Sequence, residues 1–165
     1  MPPLRVGILG VGQRGLQHLR ELCIMQTQGL VRITALCDAW VDNIGPSKIR
    51  SFIPEFRVQE VNTYTSFDAM LADDLLDALY VCLPPGVHNS EVVTAAQAGI
   101  HVFVEKPMSL YYDEALEMEQ AINKAGVIST VGFQQRYDNR NVAVHDFLTD
   151  RRIVMISSTS HGALE

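Results

Sequence analysis

Cysteine is scarce: three residues, Cys23, Cys37 and Cys82, an odd number with no CxxC spacing. Neither a disulfide framework nor a zinc cluster is expected from them, no metal site is assigned, and they read as buried thiols. Long apolar runs are missing as well. The longest, at residues 6–11 and 78–85, fall well short of the ~18 residues that a membrane helix needs. The first twelve residues do not read as a secretory signal, because Gln13 and Arg14 interrupt the apolar stretch before any small-residue cleavage site. These absences point to a cytoplasmic protein with no membrane association. Positive charge is also in short supply. Thirteen Lys and Arg face nineteen Asp and Glu, for a net charge of −6, and no stretch concentrates the basic residues, which argues against a nucleic-acid partner. There is no internal repeat, low-complexity tract or flexible linker.

What remains is a chain of 165 residues, 47% hydrophobic and 19% charged, the balance of a packed domain with a real core. Short β-branched runs alternate with longer segments of helical periodicity. Strands are expected at residues 4–9, 31–37, 57–61, 78–83, 101–104 and 127–131. Helices are expected at 13–28, after Asp38, and at 67–72, 89–98, 113–125 and 141–148, with Gly29, Gly99 and Gly126 as stops. In the helix at 113–125, Ala115, Met118, Ile122 and Ala125 form one buried stripe, so Met118 reads as core. Such alternation predicts an α/β fold with a Rossmann-type, doubly wound parallel sheet covered on both faces.

The first strand runs into Gly10-Val11-Gly12-Gln13-Arg14-Gly15, a complete GxGxxG at the junction with the first helix. Backbone N–H groups and the positive helix end face outward there and hold a pyrophosphate without a dedicated side chain. Gly10 permits the tight turn, Gly12 lets phosphates approach, and Gly15 lets helix and strand pack closely. Asp38 closes the second strand, placed where a carboxylate accepts the hydroxyl protons of an adenosine ribose. Its negative charge would oppose a 2′-phosphate, and Ala39 and Trp40 follow where a phosphate-binding Arg would stand, so NAD is favoured over NADP. Trp40 reads equally well as an adenine contact or a half-buried packing residue.

Two further clusters fall at carboxyl ends of strands, where open α/β sheets bind ligands. Leu83-Pro84-Pro85-Gly86-Val87-His88 reads as a stiff wall beside the nicotinamide half, or as a loop that caps the next helix. Glu105-Lys106-Pro107 puts two opposite charges at the end of an apolar strand, a costly choice for a bare turn. Lys106 is the candidate for touching substrate: it would hold a substrate oxygen, or assist its proton transfer if a dry site and the positive nicotinamide lower its pKa. A surface Glu–Lys pair is the plain alternative.

Taken together, residues 10–15, Asp38, the 83–88 turn and Glu105-Lys106-Pro107 resemble the Gfo/Idh/MocA family, the glucose-fructose oxidoreductase and inositol dehydrogenase group. In that family EKP after the fifth strand is the most specific mark, and the stretch Ala98-Gly99-Ile100-His101-Val102-Phe103-Val104-Glu105-Lys106-Pro107 closely resembles it. Residues 132–137 are similar to the family segment after the sixth strand, where the residue at Gln134 reaches the nicotinamide region and the Arg at 136 helps pack two domains. The resemblance implies an NAD(P)-dependent oxidoreductase acting on a sugar, polyol or related hydroxyl compound, with Lys106 binding or polarising the reacting hydroxyl. The cofactor-binding set it implies is Gly10, Gly12, Gln13, Arg14, Gly15, Asp38, Leu83, Pro84, Pro85, His88, Glu105, Lys106 and Gln134.

Family members also carry a second α+β domain with a broad antiparallel sheet, which supplies substrate contacts and the homo-oligomer interface. Here residues 1–150 are read as the cofactor domain and 151–165 as the opening strand of that missing second domain, with the run at 153–160 as the strand. The closing Leu164-Glu165 matches a cloning scar, so a fragment is expected, with a naturally short gene as the alternative. Such a fragment would bind NAD with little turnover, and the apolar residues 153–156 would pair with a second copy. A non-catalytic NAD-sensing module is the competing function. A binder of coenzyme A or of S-adenosylmethionine on the same type of sheet is a third reading, less suited to the glycine and EKP pairing.

Overall fold

A computed structural model describes residues 2–157 and 159. The first strand, β1 (Leu4–Leu9), buries Val6 and Ile8 on one face and Leu9 on the other, as a strand covered on both sides must. Helix α1 (Gln13–Thr27) follows, with Gly15, Leu16, Leu19 and Leu22 buried on its inner stripe. The chain continues through β2 (Val31–Cys37), α2 (Pro46–Phe52), β3 (Asn62–Tyr64), α3 (Phe67–Ala72), β4 (Ala78–Val81), α4 (Glu91–Gln97), β5 (His101–Val104), α5 (Tyr112–Ala125) and β6 (Ser129–Val131).

The six strands form one sheet in the order β3-β2-β1-β4-β5-β6, and every pair is parallel. Two apolar clusters cover its faces. Ile8, Leu19, Leu36, Ile49 and Ile53 pack on one side, and Leu79, Val81, Val92, Val104 and Met118 on the other. Each such side chain contributes roughly 1.5–3 kcal/mol by leaving water. Between β1 and β4 the strand order reverses, which opens a crevice outside the carboxyl ends of the strands. The opposite end is clipped by Arg5 and Asp77. Arg5 donates from its backbone N–H to Asp77 Oδ2 (2.7 Å) and from Nη2 to Oδ1 (2.8 Å), while the Asp77 N–H donates back to the Arg5 carbonyl (2.8 Å).

Several expectations are corrected. The strand expected at 57–61 is a 3-10 turn, Val58–Glu60, and the edge strand lies beyond it at Asn62–Tyr64. Val58 is buried as a single plug from that turn, so its apolarity marks core contact and not a ladder. The helix after Asp38 is a 3-10 turn, Val41–Ile44, then α2, separated by Gly45 with Pro46 at the first helical position, where its missing N–H costs nothing. The strand expected at 153–160 is not formed among the described residues of that run; Ser158 and Ser160 lie outside them.

Among the described residues the chain divides into two compact units, one ending at Gly132 and one beginning at Phe133. The second unit holds a 3-10 turn, Gln134–Tyr137, and α6 (Asn139–Leu148). Asp138 caps α6, its carboxylate accepting from the Arg140 N–H. No helix among the described residues is long and apolar enough to cross a membrane.

Candidate functional site

The crevice at the strand reversal is a cleft of about 790 Å³, within the range that ligand pockets occupy. The glycine turn forms its floor. Gly10 adopts φ +88°, and a Cβ there would stand 2.8 Å from the Cys82 carbonyl oxygen; a Cβ on Gly15 would stand 1.9 Å from the Gly10 oxygen. Gly12 differs, since nothing lies within 4 Å of where its Cβ would be. Space has been kept there that the protein does not fill.

Helix α1 begins at that space. Its N-cap is Gly12, which offers no side-chain cap, and its first turn holds no acidic residue. The orphan N–H groups and the positive end of a 15-residue helix therefore face the cleft without an internal anion. Such an end binds a phosphate group. Gln13 and Arg14 line the cleft beside it, and Arg14 Nη1 donates to Gln17 Oε1 (2.9 Å).

Asp38 stands across the turn and is 6% exposed. Its Oδ2 accepts from the Val11 N–H (2.8 Å) and from Asn43 Nδ2 (2.9 Å), and its Oδ1 from the Trp40 N–H (2.9 Å). Lys48 Nζ in turn donates to Asn43 Oδ1. The carboxylate thus ties the glycine turn to the end of β2, and Oδ1 retains capacity to accept a further hydroxyl. Trp40 lines the cleft and is 75% exposed, which is not the position of a packing residue.

At the other end, Leu83, Pro84 and Pro85 form one wall, and Glu105 and Lys106 close it. Lys106 is exposed at the mouth, while Glu105 turns its carboxylate inward. Glu105 Oε1 lies 2.8 Å from His18 Nε2 of α1, and Oε2 accepts the Lys106 N–H (3.1 Å). The thiols in the cleft are poor nucleophiles. Burial pushes Cys37 up to about 11, and burial with the nearby Glu105 pushes Cys82 up to about 12 despite the opposing Arg14.

Most residues expected to bind the cofactor therefore meet in one cleft, and two residues of the same unit stand elsewhere. Gly15 packs beneath the turn. The His88 side chain is 3% exposed and does not line the cleft; its Nδ1 lies 3.6 Å from Glu91 Oε2, beyond hydrogen-bond length. Burial pushes Glu91 up, but His88 and the amide hydrogens at the start of α4 outweigh it and hold the carboxyl below its ordinary value. Gln134 belongs to the 3-10 turn of the second unit. Conversely, Asn43, Thr65, Phe67 and Glu91 line the cleft and His18 supports it, and none was singled out by the sequence. Asn43 was readable in principle, as a polar residue five positions past the acidic strand end.

Sheet order, crossover and glycine turn together define a Rossmann-type domain. Comparison with known proteins places it more narrowly. The profile of the Gfo/Idh/MocA group, described as an oxidoreductase family with an NAD-binding Rossmann fold, matches residues 4–133, and the chain belongs to that family. It is 32% identical over 132 residues to the uncharacterized oxidoreductase YrbE of Bacillus subtilis, covering 80% of this chain and 36% of that one. To the myo-inositol 2-dehydrogenase of Thermotoga maritima it is 28% identical over 135 residues, 82% of this chain and 37% of the relative. Among solved structures, the WlbA dehydrogenase of Bordetella pertussis in complex with NADH and UDP-GlcNAcA superposes with a TM-score of 0.74 at 26% identity, covering 89% of this chain and 42% of that one. The chain thus spans about two fifths of the length of these relatives.

Proposed function

We propose that this chain is the cofactor-binding part of an oxidoreductase that moves a hydride between NAD and a hydroxyl group of a sugar, polyol or sugar nucleotide. The observation that carries the reading is the open space over Gly12 at the uncapped start of α1, a cradle that fits a pyrophosphate. The N–H groups of residues 13–15 would hold the diphosphate, with Arg14 beside it. Asp38 Oδ1 would accept from the adenosine ribose, and Trp40 would lie against the adenine. The Leu83-Pro84-Pro85 wall and Lys106 would flank the nicotinamide end.

When bound, the nicotinamide supplies the hydride acceptor or donor. Lys106 would bind the reacting hydroxyl oxygen and steady the charge that develops on it. Hydride transfer also needs donor and acceptor held at roughly 3–3.5 Å, and the described cleft brings a single lysine to that end. The chain alone is therefore expected to bind NAD and turn over little substrate. NAD is favoured over NADP because the buried Asp38 carboxylate already meets the site that a 2′-phosphate would need. Three unbridged cysteines suit a cytoplasmic setting, and homo-oligomerisation fits the same family reading.

Calorimetric titration tests this. NAD should bind more tightly than NADP, and Asp38→Ala should weaken NAD by about tenfold, the loss of a charge-assisted hydrogen bond, while narrowing the gap between the two. Tighter binding of NADP to the unaltered chain would overturn the charge argument.

A further inference from the structure

We propose that His18 is a positioning residue: by holding the Glu105 carboxylate it fixes the Glu105–Lys106 turn against α1, and so sets where the nicotinamide end of the dinucleotide meets Lys106. The inference rests on the dinucleotide reading above and deepens it.

His18 sits one turn into α1, three residues beyond Gly15, on the helix whose start forms the phosphate cradle. Its ring lies edge-on to Phe103 of β5 (4.8 Å between centroids) and tilted against Tyr80 of β4 (5.5 Å), which itself stacks on Phe103 (4.7 Å). This aromatic seat leaves the ring little freedom to turn. Glu105 reaches into the same seat, where a carboxylate is costly without donors. It has two donors, His18 Nε2 at 2.8 Å and the Lys106 N–H at 3.1 Å. A carboxylate only accepts, so Nε2 carries the hydrogen.

The pairing also settles where Glu105 does not go. Among the described residues no ion pair joins Glu105 to the ammonium of Lys106, although the two are adjacent in sequence. The carboxylate is turned to α1, and the lysine side chain is left at the cleft mouth. Gly132 leaves room for this carboxylate, since a Cβ there would stand 3.2 Å from Oε2. One hydrogen bond thus links the element that would grip the phosphates to the turn that carries the lysine. A sequence that keeps Glu beside Lys only for charge balance would not need a histidine there.

The test compares NADH with ADP-ribose, which shares the diphosphate and adenosine but lacks the nicotinamide, by calorimetry on the full chain. His18→Phe keeps the ring contacts and removes the nitrogen. It should weaken NADH by about tenfold, the loss of one charge-assisted hydrogen bond, and leave ADP-ribose within about twofold. His18→Gln, whose amide can donate from nearly the same point, should recover most of the NADH affinity. Glu105→Ala serves if His18→Phe does not fold: it removes the acceptor of both hydrogen bonds, so the same selective loss is expected. Equal weakening of both ligands would mean that His18 merely supports α1 and would overturn the proposal, as would unchanged NADH affinity or no recovery in His18→Gln. Failure of the unaltered chain to bind either ligand would overturn the dinucleotide reading itself.

Discussion

Two glycines of the same turn should fail in opposite ways. At Gly15 an added methyl would lie 1.9 Å from a backbone oxygen, and backbone cannot yield as a flexible side chain can. Gly15→Ala should therefore cost about 3 kcal/mol of stability or more, the upper range for overpacking, visible as a lowered melting temperature without ligand. At Gly12 the same methyl meets nothing within 4 Å, so Gly12→Ala should melt like the unaltered protein. Its defect should appear in titration, as NAD affinity reduced by about tenfold or more, because the methyl occupies the approach of the phosphates. Equal melting points with equal affinity would remove Gly12 from the site. At this scale much was legible. The glycines, Asp38 and Lys106 announce themselves by type and spacing, whereas His18 is one polar residue on a helix between Leu16 and Leu19, and its partner is 87 positions away in the chain.

Among the elements, β1 and β4 are joined at their amino ends by Arg5 and Asp77. The Arg5 guanidinium, with the Arg5 amide, holds the Asp77 carboxyl below the usual carboxylate range. A carboxyl depressed in the folded state stabilises the fold fully above its unfolded value of about 3.9, and that contribution disappears as pH falls through the folded value. Asp77→Asn should thus be less stable than the parent at pH 7, and its stability should fall less between about pH 5 and pH 2, followed by denaturant melts across that range. Parallel losses in the two proteins would show that the clip does not titrate with folding. The elements most readable from sequence were those with an unbroken pattern. β2, α3 and β5 stand where periodicity put them. The edge strand β3 was misplaced because its residues, Asn62, Thr63 and Tyr64, are largely exposed and carry no apolar alternation, while the buried Val58 next door mimicked a strand.

For the whole molecule, the described residues 153–156 include Val154 and Met155, which are strongly exposed. An exposed apolar segment of this kind, once extended, is a template for pairing with a second copy. The full chain is expected to dimerise through this segment, and deletion of residues 153–165 should yield a monomer by light scattering at the same concentration. A dimer that survives the deletion would place the interface elsewhere. The fold class and strand alternation were legible at this scale because both sheet faces demand apolar strands between amphipathic helices. The division near residue 132 was not, because no composition shift or glycine-rich linker marks it.

The cleft draws its lining from the ends of four strands, with Leu9, Cys37, Cys82 and Glu105 at or just past their last residues. No single loop runs along that edge; each connection leaves it by a helix. A molecule lying there from Asp38 to Lys106 would act as a brace across the rim of the sheet, fastening neighbours that the covalent chain connects only by long detours. Loading the cleft and stiffening the domain would then be one event.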